Sequence, residues 1–135
     1  PVPLVVRISA VRPAGAQRFM REHCFPAISR FAHQDLWCSA RLGGRLVGLC
    51  SLHPHRDHWL LSNNCVHPRY RRRGISTQML KKRILHAKSV DADKKVRLYV
   101  EEKNTAALAT VAKCSELVRT GSIMRNRKPI NVFEW

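Results

Sequence analysis

The spacing of apolar residues switches between two periods along this chain, and each switch marks an element. Residues 2–9 carry Val2, Leu4, Val5, Val6 and Ile8 and predict a first strand, with Pro3 favouring an edge or strand start. Pro13-Ala14-Gly15 opens a helical stretch to about Glu22 with Phe19 facing inward, and residues 27–32 predict a second short helix after Pro26. Residues 36–41 and 45–52 form the clearest hairpin, around Leu42-Gly43-Gly44. Gly48 in its second arm marks a bulge or a close backbone approach. Residues 58–67 predict a strand whose middle, Ser62-Asn63-Asn64, is polar. Those groups either line a cleft or pair at a bulge, because polar atoms inside a sheet need partners. Ile75, Met79, Leu80, Ile84 and Leu85 recur at helical spacing and predict a helix over 74–88. Residues 95–101 alternate as a half-buried strand. Asn104 is placed to cap a helix through Ala107, Leu108 and Val111 to about Cys114. Two short strands at 116–121 and 129–134, around Gly121-Ser122, complete the chain. No linker, repeat or low-complexity tract interrupts it, so residues 1–135 read as one α/β domain.

The strand–helix–strand unit over 58–101 requires a parallel pair, right-handed if both strands share a sheet. Ligands of such sheets gather at the carboxyl ends of the parallel strands, here near Cys65-Val66 and Glu101-Glu102. Both ends adjoin the same basic turn. Residues 69–88 hold eight Lys or Arg and no acidic residue, and Gly74 sits where the turn enters the helix. Free amides and the helix dipole at such a point favour an anion, above all a phosphate.

The net charge of +16 over 135 residues attracts polyanions and repels cationic small molecules. Nucleic acid, an acidic protein surface or a phosphate-rich cofactor are the partners it implies. Five cysteines, Cys24, Cys38, Cys50, Cys65 and Cys114, are odd in number and widely spaced, with no CxxC pair. They read as reduced, small buried hydrophobes in an intracellular protein. His53-Pro54-His55-Arg56-Asp57-His58 concentrates three histidines, but no distant ligand set is spaced to close a metal site, so no metal is expected. The absence of a leader or an 18-residue apolar run gives the expectation of a cytoplasmic, non-membrane protein, monomeric or homodimeric. Neither GxxxxGK[ST] nor GxGxxG occurs, which removes the main support for nucleotide hydrolysis and hydride transfer.

Arg71-Arg72-Arg73-Gly74-Ile75-Ser76, preceded by Val66-His67-Pro68, resembles the pyrophosphate-binding motif of the GNAT-type N-acetyltransferases, Gln/Arg-x-x-Gly-x-Gly/Ala. Leu98-x-Val100-x-x-x-Asn104-x-x-Ala107 looks like that family's next strand and helix, in register. The resemblance implies the GNAT fold: a central mixed, mostly antiparallel sheet of six to seven strands with about four helices, splayed between the strands at 58–67 and 95–101. It also implies acetyl-CoA as cofactor. Backbone amides of Arg71, Arg72, Arg73, Gly74, Ile75, Ser76 and Thr77 would hold its pyrophosphate, with nearby basic side chains such as Lys82 available to the 3′-phosphate. Cys65 and Val66 would offer backbone groups to the pantetheine arm and thioester carbonyl, and Asn104 and Ala107 would flank the arm from the other side.

The chain departs from the family pattern at Ser115-Glu116, where a Gly-Phe is frequent, and at two positions nearer the cofactor. Ser76 stands in the last Gly/Ala place, and Val111 stands where the family's frequent tyrosine protonates the leaving thiolate. Tyr99 and Cys114 are substitutes for that acid. Glu102 is the first candidate base for the amine, Glu101 lies beside it, and His58 is the second. An acceptor attached to or bound with a polyanion (aminoacyl-tRNA, a nucleobase or an acidic protein) suits the charge. A catalytically weak acetyl-CoA sensor, or a nucleic-acid-binding module on the same fold, is the alternative.

Overall fold

The computed structural model describes residues 2–25 and 35–135. Its backbone is a single seven-stranded sheet in the order β1-β2-β3-β4-β5-β7-β6. The strands are β1 Leu4–Ser9, β2 Leu36–Leu42, β3 Arg45–Pro54, β4 His58–Val66, β5 Lys95–Glu101, β6 Val118–Arg125 and β7 Lys128–Glu134. Among the described residues the helices are α1 Ala16–His23, α2 Ile75–Val90 and α3 Thr105–Ala112, with a single 3-10 turn at Pro68–Tyr70. Three α-helices thus stand where about four were expected; the short helix expected over 27–32 lies outside the described residues. All strand neighbours are antiparallel except β4 and β5, which run parallel as the crossover requires.

β3 explains why the sheet is covered on both faces. Its residues Val47 to Leu52 are buried without alternation, the mark of a strand packed on each side. α2 and α3 cover one face, where Leu80, Ile84 and Ala87 pack on Leu52, Trp59, Leu61 and Val96. α1 covers part of the other with Ala16, Phe19 and Met20 against Trp37, Leu49 and Cys65. The buried stripe of α2 is Ile75, Met79, Leu80, Arg83, Ile84 and Ala87. Leu85, counted above in the apolar pattern, is 65% exposed, and a cation takes a place on the buried side.

For Gly48 the close approach is decisive. A Cβ there would lie 3.0 Å from Met79 Cε and 3.1 Å from Ile75 Cγ2, so α2 presses onto β3 only because the side chain is absent. The β2–β3 register also slips beside it, between Ala40 and Arg41.

Two expectations are corrected. The last hairpin turns at Asn126-Arg127, with φ of 51° and 63°, and not at Gly121-Ser122. Two consecutive left-handed residues match the twist of the flanking strands, so they make the tight turn, while Gly121 sits at a register shift within β6. The cysteines are not all reduced either: Cys24 and Cys65 form a disulfide that ties the end of α1 to β4, with Cα atoms 5.7 Å apart. Their separation of 41 residues carries no local signal; only packing α1 across β4 brings them together. Cys38, Cys50 and Cys114 are free and buried.

Candidate active site

The parallel pair opens where β4 contains one extra residue. Opposite β3, the pairing jumps from Leu49↔Cys65 to Ser51↔Ser62, so Asn63 and Asn64 together face Cys50. Asn63 has φ of 55°. Such a bulge bends and twists its strand, and the pairing of β4 with β5 stops at Leu61↔Leu98. A cavity of about 300 Å³ fills the opening, between the two strands, α2 and α3. Ser62-Asn63-Asn64 therefore does both things its polarity suggested: it forms the bulge, with Asn63 Nδ2 donating to Ser51 Oγ at 3.1 Å, and it lines the cleft. A second, more open depression of about 660 Å³ lies along Arg12–Glu22.

At the mouth of the cleft the chain makes an anion cradle. After β4, His67 Nδ1 accepts from the Arg69 amide at 3.1 Å and starts the 3-10 turn. Arg72 and Gly74 then take left-handed conformations, φ 62° and 78°, and α2 begins at Ile75. The first bond into the helix runs from the Gln78 amide to the Gly74 carbonyl, at 3.0 Å. No side chain caps the helix and no acidic residue occupies its first turn. The amides of Ile75, Ser76 and Thr77 are thus left pointing out of the helix start. Ser76 contributes more than small size, since Asn64 Nδ2 donates to its hydroxyl at 2.6 Å and ties the cradle to the bulge. The Arg71 side chain is used structurally: Nε donates to Val66 O and Nη2 to His23 O, both at 3.1 Å. Arg73 stacks on Tyr70 at 5.2 Å.

These residues fit a coenzyme A thioester. Three uncapped amides and a cluster of arginines answer a pyrophosphate, and the unpaired edge of β4 beyond Leu61 leaves backbone groups near Cys65 and Val66 for an amide-bearing arm. Cys65 offers its backbone only, its sulfur being bonded to Cys24. Asn104 caps α3 by accepting from the Ala107 amide at 3.1 Å, and both residues line the cavity.

The candidate acid and base residues separate by position. Tyr99 lines the cavity from β5, with the Arg125 guanidinium 4.9 Å from its ring centroid. Val111 also lines it and makes the usual tyrosine place apolar. Cys114 is packed in the α2–α3 core, where burial pushes its thiol pKa up, and it does not reach the cavity lining. Glu101 lines the mouth and lies 3.9 Å from Lys128. Glu102 is exposed beside it with its amide bonded to Pro129 O, outside the lining. His58 is not brought to the cleft. It starts β4 opposite Lys95, at the far end of the parallel pair, with Nδ1 2.7 Å from Asp57 and its ring stacked on His55. That hydrogen bond to His58 holds the Asp57 carboxyl below its ordinary pKa. Among the described residues no group of three His, Cys, Asp or Glu side chains is arranged to hold a metal ion. Among the described residues no helix is long and apolar enough to cross a membrane. The residue that sequence reasoning missed is Arg83, a lining cation whose only signal was a basic residue three positions after Leu80 on the apolar face of α2.

The profile of the Acetyltransferase (GNAT) family matches residues 10–115. The chain belongs to that family. Its fold recurs in solved GNAT structures at low sequence identity. An IAA acetyltransferase from Bacillus cereus is 15% identical with a TM-score of 0.76, covering 98% of each chain. The ribosomal-protein-S18-alanine N-acetyltransferase from Escherichia coli is 16% identical with a TM-score of 0.77, covering 96% of this chain and 92% of its own. A mutant spermidine N-acetyltransferase from Vibrio cholerae is 12% identical with a TM-score of 0.78, covering 98% and 92%. No curated protein matches the chain in sequence. Membership of the GNAT family makes the chain an N-acetyltransferase by family.

Proposed function

We propose that this GNAT domain transfers an acetyl group from acetyl-CoA to a primary amine in the cleft between β4 and β5. The observation that carries the reading is the continuity of the cradle with the cleft: uncapped amides at Ile75 to Thr77 open directly onto the unpaired edge of β4. In this reading the backbone from Arg71 to Thr77 holds the pyrophosphate, Cys65 and Val66 align the arm, and Asn104 and Ala107 close it from α3. Bound acetyl-CoA supplies a thioester carbonyl activated for attack. The bulge fixes backbone donors beside that carbonyl before reaction, which is where acyl transfer gains most. Tyr99 Oη gives its proton to the departing thiolate. Glu102, or Glu101 one position nearer the cavity, takes the proton of the attacking amine, directly or through one water.

The acceptor belongs to a polyanion or is bound with one. Lys81 and Lys82 on α2, and Arg125, Arg127 and Lys128 at the β6–β7 turn, are all exposed and exceed what three coenzyme phosphates need. A charge of +16 repels a free polyamine, the substrate named for the Vibrio cholerae relative, and suits an amine on aminoacyl-tRNA, a nucleobase or an acidic protein. Val111 in the tyrosine place favours one second reading, an acetyl-CoA sensor with little turnover.

Calorimetry with acetyl-CoA on the wild type and on Gly74→Glu tests the cleft; the variant places a carboxylate in the cradle and abolishes binding. Thiol release with tRNA, DNA and peptide pools, at low and high salt, tests the transfer. Absence of binding, or tight binding by Gly74→Glu, sinks the reading. Tight binding with no pool active selects the sensor.

A further inference from the structure

The inner end of the cleft holds a cation with no counter-charge. Arg83 is 2% exposed, yet it lines the cavity. Its Nη1 donates to the carbonyl oxygens of Ser51 at 3.0 Å and Ser62 at 3.3 Å, a strand pair beside the bulge. Its Nε is sealed from solvent and has no hydrogen-bond partner. No carboxylate pairs with it among the described residues. A guanidinium does not shed its proton in a protein, so this is a permanent buried charge. Two neutral carbonyls offset only part of the cost of its desolvation. The neighbourhood is polar as well: Ser51 Oγ lies 3.0 Å from Ser62 Oγ, and Asn63 donates to the same Ser51 hydroxyl. Leu61, Leu80, Leu98 and Val111 contribute apolar surface to the same cavity.

Position along α2 says what reaches Arg83. Helical rise sets it about 10 Å beyond Ser76, inward from the cradle. A thioester anchored at the cradle with its arm along β4 presents its acyl end there. An acetyl methyl group leaves the arginine unanswered. A carboxylate at the end of a short acyl chain answers it with charge-assisted hydrogen bonds.

We propose that the cleft selects a coenzyme A thioester whose acyl chain ends in a carboxylate, the carboxylate serving as the counter-ion of Arg83. The proposal rests on the coenzyme A reading of the cleft and makes acetyl the less favoured of the acyl groups it takes. Were Arg83 only a strut for the bulge, the cleft would have no preference among acyl groups.

Calorimetry on the full chain with coenzyme A, acetyl-CoA and succinyl-CoA tests it. Succinyl-CoA is expected to bind roughly ten-fold or more tightly than acetyl-CoA, the worth of one hydrogen-bonded charge pair. Arg83→Met brings that ratio close to one. Thermal melting checks that Arg83→Met and Arg83→Lys fold; if neither does, the wild-type ratio decides alone. Equal or weaker binding of succinyl-CoA by the wild type overturns the proposal while acetyl-CoA binding keeps the cleft reading intact. A ratio unchanged in folded Arg83→Met also overturns it. Failure of all three ligands to bind removes the cleft reading itself.

Discussion

Tyr99 is the proton donor we propose in place of Val111, which has no proton to give. It faces the cavity from a strand, while the place usually filled from the following helix is an aliphatic surface. If its hydroxyl is the acid of the reaction, Tyr99→Phe lowers kcat about 100-fold, the usual scale of a positioned proton donor, measured by thiol release. An unchanged kcat would return the protonation of the thiolate to water. Gly74 shows a different kind of residue-level requirement. It is needed for its conformation, because at φ 78° a side chain is strained even where space is open. Its neighbour Arg72 takes a similar conformation with a side chain, so the turn already contains one strained residue.

At the scale of elements, α2 is held by how close it comes to the sheet. Gly48→Val drives a branched side chain into Met79 and Ile75, and we expect it to destabilise the fold by about 1–3 kcal/mol in chemical denaturation. A loss much below that range would mean that α2 can shift outward at little cost. The β5–β7 pair has an electrostatic latch. Arg97 meets the Glu134 carboxylate at 2.8 Å across the antiparallel register. Burial pushes the Glu134 carboxyl up, but the hydrogen bond from Arg97, with one from Thr120, outweighs it and leaves the pKa lowered. A carboxylate depressed in the folded state stabilises at pH above its unfolded value. That contribution is lost as pH falls through the folded pKa, below the ordinary carboxylate range near about 4.3. Denaturation midpoints of the wild type should therefore fall on acidification through that range, and Arg97→Met should flatten the fall. A parallel decline in both proteins would count against the latch.

For the whole molecule, one covalent tie and one field matter most. The Cys24–Cys65 disulfide closes 41 residues of sequence between α1 and β4. Loop closure of that size is worth about 4 kcal/mol, so Cys24→Ser with Cys65→Ser, or reduction of the wild type, is expected to lower Tm clearly. Because Cys65 also sits on the edge of the cleft, donor affinity measured in the same samples reports whether the tie shapes the site. The field of +16 acts at longer range. Binding of a nucleic-acid acceptor through several phosphates should weaken steeply with salt, while a small neutral amine would show no such slope.

Local order was legible because it depends on local rules. Period-two alternation marked β5, the Asn104 side chain marked the start of α3, and a lone glycine in a basic turn marked the left-handed entry into α2. The crossover between β4 and β5 followed from connectivity alone. What the pattern left open depends on which surfaces meet. Whether Ser62-Asn63-Asn64 was bulge or lining could be settled only by β3 on one side and the splay from β5 on the other. The hairpin turn at Asn126-Arg127 was hidden because glycine at 121 is the stronger local turn signal, and the register with β7 overrode it. Cys24 and Cys65 gave no hint of pairing, since a disulfide answers to distance in space. Arg83 looked like one more surface cation among many. The rotation of α2 against the sheet buried it, and that burial alone turned a residue of the charge count into the cation at the end of the cleft.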